Sequence, residues 1–409
     1  MAMGQDRVHA RKSLPRRVVG TILWIVYGLW CLAAVPMAVY LLIEGRTIGG
    51  RVVGALLAHL VVLPLTLRLG RRHRCPAWRA VNGVLATTGL SLLILTGGLA
   101  LPRELPSPRN VKAPASYQPG IFGGRPYSRF IGSKGKLTSF LSNLLPEVEH
   151  VALAGRLLPR LNAGVSPEQA ERAAGAAIEI YRAMDADEVF SALSSSLAIA
   201  YADRLGAHRR PNHYFLYVPK SRRPGPMPML VFLHDATGNL KAYLWALSRL
   251  AEQEGCVVVT PSFGYGDWSR DGSAQAVLAA EDDASALVDV DGERVFLAGL
   301  GCGGAGAGAA FRAAPQRFRG LAFLAARPDD AGDLSAARGR SVLVLSGQAD
   351  PRVPAESVSG WTQQLRQAGV EAKEFLLPSQ DRFLLFTAPN ETASALADWI
   401  RATIDPGQG

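Results

Sequence analysis

The stretch Arg294–Ala307 reads RVFLAGLGCGGAGA. Up to Leu300 it is a largely apolar run of the kind that forms a strand covered on both faces, and beyond Cys302 it is a glycine and alanine run that opens a helix. A strand that enters a helix through such a turn presents the middle residue of the turn above the end of its sheet. In the pattern G-x-Ser-x-G that residue supplies an attacking hydroxyl. Gly299 and Gly303 hold the two flanks, and the residue between them is Gly301, which has no side chain. The glycine run to Gly308 lacks the Lys-Ser/Thr ending of a phosphate loop.

Working outward, short apolar runs alternate with helical patterns from residue 213 onward. Strands are expected at HYFLYV (213), MLVFL (229), CVVVT (256), RVFLAG (294), GLAFLA (320), SVLVLSG (341) and AKEFLL (372), with helices such as Leu240–Glu254 and Ser357–Ala368 between them. This order predicts an α/β fold with a doubly wound, mostly parallel sheet. Ligands in such sheets sit beyond the carboxyl ends of the strands, where Gly301 lies.

Five segments in this order resemble the α/β-hydrolase superfamily, specifically bacterial carboxylesterases of the polyhydroxybutyrate-depolymerase and feruloyl-esterase type, over about residues 213 to 403. YFLYVPKSRRPGPMPMLVFLHDATGN is similar to the strands leading to an oxyanion loop, GCVVVTPSFGYGDW to the next strand and its substrate-side loop, and VFLAGLGCGG to the elbow. SVLVLSGQADPRVP is similar to the segment bearing the triad acid, and LLPSQDRFLLF to the segment bearing the triad histidine. The resemblance implies an oxyanion loop built from His234, Asp235, Gly238 and Asn239 with the backbone of Cys302, and a pocket near Phe263, Tyr265 and Trp268.

Ester hydrolysis needs an attacking hydroxyl or thiol, an imidazole to take its proton, a carboxylate to orient the imidazole, and N–H groups for the oxyanion. Asp350 matches the acid, but the nucleophile position is Gly301 and the histidine position is Arg382. A guanidinium stays protonated and accepts no proton. The seven histidines stand at 9, 59, 73, 150, 208, 213 and 234, so none follows the elbow. Asp235 puts a carboxylate where glycine is usual and where negative charge must develop. The triad therefore reads as degenerate, with Cys302, His234 and Ser262 as outside candidates for residual chemistry. The expected role of His234 is to orient its loop, that of Cys302 a small buried side chain, and Asp350 is expected to pair with Arg382. Glycine at 301 also relieves the strain of a left-handed turn.

Apolar residues make up 48% of the 409 and charged residues 19%, with a formal charge of +10. Residues 1–105 carry 13 Lys+Arg against 3 Asp+Glu, whereas residues 106–409 carry 31 of each, so the excess flanks apolar runs and argues against nucleic-acid binding. Three N-terminal transmembrane helices are expected at about 18–43, 47–67 and 81–101, the middle one weakest because of His59. Basic clusters at RVHARKSLPRR and RLGRRHRCPAWR place the N-terminus and the second loop on the cytoplasmic side of an inner membrane, and the rest of the chain in the extracytoplasmic or periplasmic space.

The resulting division is a membrane domain (1–105), a Pro/Gly-rich linker (106–136), and a hydrolase-like domain (137–409) with a helical layer (137–205) and a sheet core (213–403). A capping box at Ser166 starts one helix of the layer. The four cysteines suggest no disulfide, and neither a metal site nor a cofactor is expected. The expected partners are the lipid bilayer and an ester-like small molecule or a protein. The function expected is a membrane-anchored, esterase-related binding protein without catalysis; the alternative is an active carboxylic-ester hydrolase using Cys302.

Overall fold

The computed structural model describes residues 16–73, 76–101, 123–131, 140–141, 143–161, 164–204, 213–220 and 225–405. The chain divides into two compact units, Met1–Gly98 and Leu99–Gly409.

The first unit consists of α1 (Arg16–Glu44), α2 (Ile48–His73) and α3 (Pro76–Ala100). Their most apolar windows have mean hydropathies of 2.2, 2.0 and 1.7, and all three helices are long and apolar enough to cross a membrane. The middle helix starts where the sequence needed it to, because the Thr47 hydroxyl accepts a hydrogen bond from the Gly50 N–H at 2.9 Å and caps the first turn. It also runs past residue 67 to His73. The Tyr27 hydroxyl donates to the Val61 carbonyl, and the Arg68 guanidinium lies 4.4 Å from the centre of the Trp24 ring. Leu23, Leu32, Ile43 and Ile94 on these helices are exposed.

The second unit is built on one eight-stranded sheet: β1 (Arg125–Phe130), β2 (His213–Val218), β3 (Met227–Leu233), β4 (Val257–Pro261), β5 (Val290–Leu300), β6 (Gly320–Leu324), β7 (Ser341–Gly347) and β8 (Glu371–Leu377). Their spatial order is β1-β2-β4-β3-β5-β6-β7-β8. β2 runs antiparallel to both β1 and β4, and the remaining pairs are parallel. All seven strands expected from the sequence form.

β1 is the departure, since it lies within residues 106–136, which were expected to be linker. Its pairing with β2 and the burial of Tyr127 make it an edge strand, where Pro126 is tolerated because no ladder partner is required on the open side. The remainder of the expected linker falls mostly outside the described residues.

The strands are apolar throughout because helices cover both faces. Alternate residues such as Leu230 and Phe232 pack under α7 (Lys241–Glu254) and α11 (Pro389–Ile404). Val231, Leu233 and Phe323 pack under α8 (Ser273–Leu287), α9 (Gly303–Ala313) and α10 (Ala355–Gln367).

Outside α7 lies the expected side layer of α4 (Glu147–Leu161), α5 (Pro167–Ala186) and α6 (Leu197–Arg204). The Ser166 capping box is formed in full. The buried Glu147 carboxylate accepts from the Tyr181 hydroxyl at 2.7 Å and from the Lys241 N–H at 2.9 Å, satisfying a free donor at the start of α7.

The elbow follows from this packing. β5 ends at Leu300, the Gly301 N–H continues the ladder to the Leu324 carbonyl at 2.8 Å, and α9 begins at Gly303. A Cβ on residue 303 would lie 2.3 Å from the Leu233 carbonyl oxygen, so only glycine lets the helix start this close to β3. Gly303→Ala is expected to lower stability by about 1–3 kcal/mol through overpacking, read from thermal unfolding of the full-length protein in detergent.

Candidate functional site

Three connections meet above the carboxyl ends of β3, β5 and β7. The β3–α7 turn brings Asp235, the elbow brings Gly301 and Cys302, and the segment after β8 brings Arg382. Gly301 has φ +53°, the left-handed geometry of a strained elbow. An added Cβ at this residue would lie 2.3 Å from Asp235 Oδ1, 2.5 Å from its Cγ and 2.8 Å from Oδ2. The Asp235 carboxylate thus stands where a nucleophilic side chain would begin.

The carboxylate is fixed on both sides. Its Oδ1 accepts the Cys302 backbone N–H at 3.1 Å. Its Oδ2 pairs with Arg382 Nη2 at 2.8 Å, and both side chains are largely withdrawn from water, at 16% and 13% exposure. Burial by itself would raise the Asp235 carboxyl, but the Arg382 charge and the Cys302 N–H outweigh it and hold the group below its ordinary range.

Asp350 does not make the expected pair with Arg382. Its Oδ1 accepts the Arg352 N–H at 2.9 Å, and its buried Oδ2 has no hydrogen-bond partner. The guanidinium reaches past it to Asp235. Burial raises the Asp350 carboxyl, an effect that Arg382, acting only through its field, does not cancel. The segment carrying Arg382 is anchored by its neighbour: Asp381 is fully buried, pairs with Arg172 of α5, and accepts the Phe383 N–H at 2.9 Å. Sequence reasoning missed this anchor, since no spacing links residues 172 and 381.

The outside candidates have poor chemistry. His234 is fully buried; the Phe263 N–H donates to its Nε2 at 3.2 Å, which leaves the Nδ1–H to donate to the Asp235 carbonyl at 2.8 Å. Both ring nitrogens are engaged, and burial pushes the imidazole down to about 4. The ring braces the Asp235 turn against the β4–α8 loop, as its loop-orienting role requires. Cys302 is half-buried rather than enclosed, and burial together with the neighbouring Asp235 charge raises its thiol far above the usual range, which disfavours the nucleophilic thiolate. Gly266 closes over it, since a Cβ there would lie 2.5 Å from Cys302 Sγ.

The other expected site residues are structural struts. Gly238 turns at φ +83°. Asn239 is buried and donates to the Thr260 carbonyl at 2.6 Å and to Ser262 Oγ at 3.0 Å. Phe263 and Trp268 stack with centroids 5.4 Å apart within the core, and Trp268 Nε1 donates to the His234 carbonyl at 2.8 Å. Tyr265 alone of the three expected pocket aromatics reaches solvent, edge-on to Tyr201 at 5.5 Å. A cavity of about 130 Å³ lies elsewhere, against the start of β3, lined by Pro226, Arg294 and Arg401 among others.

A second group, unseen in the sequence, joins three elements: His213 Nε2 contacts Ser128 Oγ at 2.8 Å, and its Nδ1 contacts Ser262 Oγ at 2.8 Å. This is a hydroxyl–imidazole pair, but both residues are buried and burial pushes His213 down to about 3. Its action is to tie β1, β2 and the end of β4 together.

No family model matches the sequence, and no curated protein matches it. Solved structures similar to this chain include a hyperthermophilic esterase from the archaeon Pyrobaculum calidifontis, at 17% identity and a TM-score of 0.40, covering 47% of this chain and 81% of that one. A putative α/β hydrolase from Agrobacterium tumefaciens is similar at 17% identity and a TM-score of 0.40, covering 48% and 94%. The protein Est1E from Butyrivibrio proteoclasticus with bound ferulic acid is similar at 17% identity and a TM-score of 0.39, covering 47% of this chain and 94% of that one.

Two outcomes follow from the geometry. Gly301→Ser is expected to cost about 1–3 kcal/mol in backbone strain alone, with a further loss from displacing Asp235. The double variant Asp235→Gly/Gly301→Ser recovers that second part, giving a coupling of about 1–3 kcal/mol in a double-mutant cycle.

The two buried imidazoles stay neutral in the folded chain at pH values where the unfolded chain takes up protons. Their contribution is complete above about pH 6.5. It is lost as pH falls toward the folded values of about 4 and about 3. Unfolding free energy should therefore fall by up to about 1.4 kcal/mol per pH unit for each ring below pH 6.5. His213→Gln should flatten that slope, measured by denaturant titration between pH 7.5 and 5.

Proposed function

We propose that this chain is a membrane-anchored, esterase-related α/β-hydrolase-type protein that does not hydrolyse esters and uses its former active-site end to bind a ligand or a protein partner. The reading takes residues 1–105 as the anchor, with the N-terminus and the basic loop near residues 68–79 on the cytoplasmic side and the sheet domain outside the cytoplasm. Support for the anchor comes from three long apolar helices, and for the orientation from the placement of Lys and Arg in the sequence.

One observation carries the functional part: the Asp235 carboxylate fills the space of the side chain missing at Gly301 and consumes the Cys302 N–H. Attack on an ester carbonyl needs a nucleophile in that space and a free donor for the oxyanion. A fixed negative charge there repels the charge that the transition state develops, and the nearest basic group, Arg382, is a permanent cation. Each departure alone removes a step of hydrolysis. Together they form one bonded unit.

The full-length protein in detergent, assayed with p-nitrophenyl acetate and butyrate, is expected to turn over neither above the buffer rate. Cys302→Ala and His234→Ala should leave that result unchanged. Turnover that either substitution abolishes would overturn the reading.

A further inference from the structure

We propose that the elbow is a carboxylate-binding site, occupied in this conformation by the chain's own Asp235, and that its exchangeable ligand is a small organic carboxylate held between the Cys302 N–H and the Arg382 guanidinium. The inference rests on the non-hydrolytic reading and names the ligand class of that same site.

The site is built for this group. One carboxylate oxygen meets a backbone N–H at 3.1 Å and the other a guanidinium nitrogen at 2.8 Å. The floor beneath is a glycine, so a carboxylate bearing one carbon sits in the space that a side chain at 301 would need. The segment carrying Arg382 is anchored by Asp381, which is itself buried and paired with Arg172, and the guanidinium lies 5.9 Å from the centre of the Phe383 ring. Asp350, whose Oδ2 is buried without a hydrogen-bond partner, lies within the field of Arg382 without bonding to it, which leaves the guanidinium to a carboxylate at the elbow. An arginine with one carboxylate bonded and another merely near it keeps the local charge constant when a ligand carboxylate replaces Asp235.

The occupant can leave. Ala236 and Thr237, directly after Asp235, are exposed, and the turn ends on Gly238 at φ +83°. The backbone of the turn stays held by His234, and rotation of the part-exposed Asp235 side chain exchanges one carboxylate for another without opening the core. His234 stays anchored through both ring nitrogens.

Asp235→Ala in the full-length protein deletes the equivalent of a formate ion, so sodium formate is the probe and sodium chloride at equal ionic strength the control. Formate is expected to raise the melting temperature of the variant by several degrees, with a dissociation constant of about 1–10 mM, near the limit for a three-atom ligand. Wild type should need at least about tenfold more formate, because Asp235 competes from within the chain. Asp235→Ala/Arg382→Gln should not respond. Should Asp235→Ala fail to fold, Asp235→Ser, which keeps a hydroxyl for the Cys302 N–H, takes its place with the same expectation.

Equal responses to formate and chloride would overturn the proposal, as would equal affinity in wild type and variant or a response that survives Arg382→Gln. Formate contains no ester bond, so those failures leave the non-hydrolytic reading standing. Ester turnover would end that reading whatever formate does.

Discussion

The end of the sheet is organised around one carboxylate. Asp235 is bonded to the first free N–H of α9 and to a guanidinium that arrives from beyond β8, so it joins three loops distant in the chain. Breaking such a pair by removing the cation leaves a charge with little water to take it up, which costs about 3–5 kcal/mol when the pair is fully buried and somewhat less here. The charge also determines the neighbouring chemistry. Burial and this charge together keep the Cys302 thiol protonated, and the carboxylate leaves room at 301 for hydrogen alone.

Around this unit the remaining polar residues act as braces. The ring nitrogens of His234, the amide of Asn239 and the indole of Trp268 are all engaged with backbone or buried hydroxyls, which locks the Asp235 turn to the β4–α8 loop. Phe263 and Trp268 are part of a packed core. In the Ser128–His213–Ser262 group the imidazole is buried in a low-dielectric setting, where its basicity falls and its bonding fixes strand ends.

The architecture of the second unit rests on residues other than those that meet at the elbow. Strand order and register rest on the apolar alternation of β3 to β7 and on glycines such as Gly303, which set the distance between α9 and β3. A left-handed turn with glycine at its centre is less strained than one with serine.

Much of this was legible in the sequence because it is encoded locally. Continuous apolar runs of strand length mark a sheet covered on both sides, the Ser166 box marks a helix start, and long uncharged runs mark the three apolar helices. The absent side chain at 301 and the guanidinium at 382 were likewise visible by position. β1 was not, since RPYSRF is short, lies in a Pro-rich stretch and becomes a strand only through pairing with a partner almost ninety residues away.

Nor could spacing show which acid Arg382 would choose. Asp350 stood in the expected place, but the guanidinium is longer than an imidazole and reaches Asp235, 147 residues distant in sequence, where a backbone N–H already holds the carboxylate in position. The sequence by itself determined which groups were missing. Tertiary structure alone decided what occupies their place, because an ion pair forms according to distance and dielectric in the folded state, and neither is written in residue order.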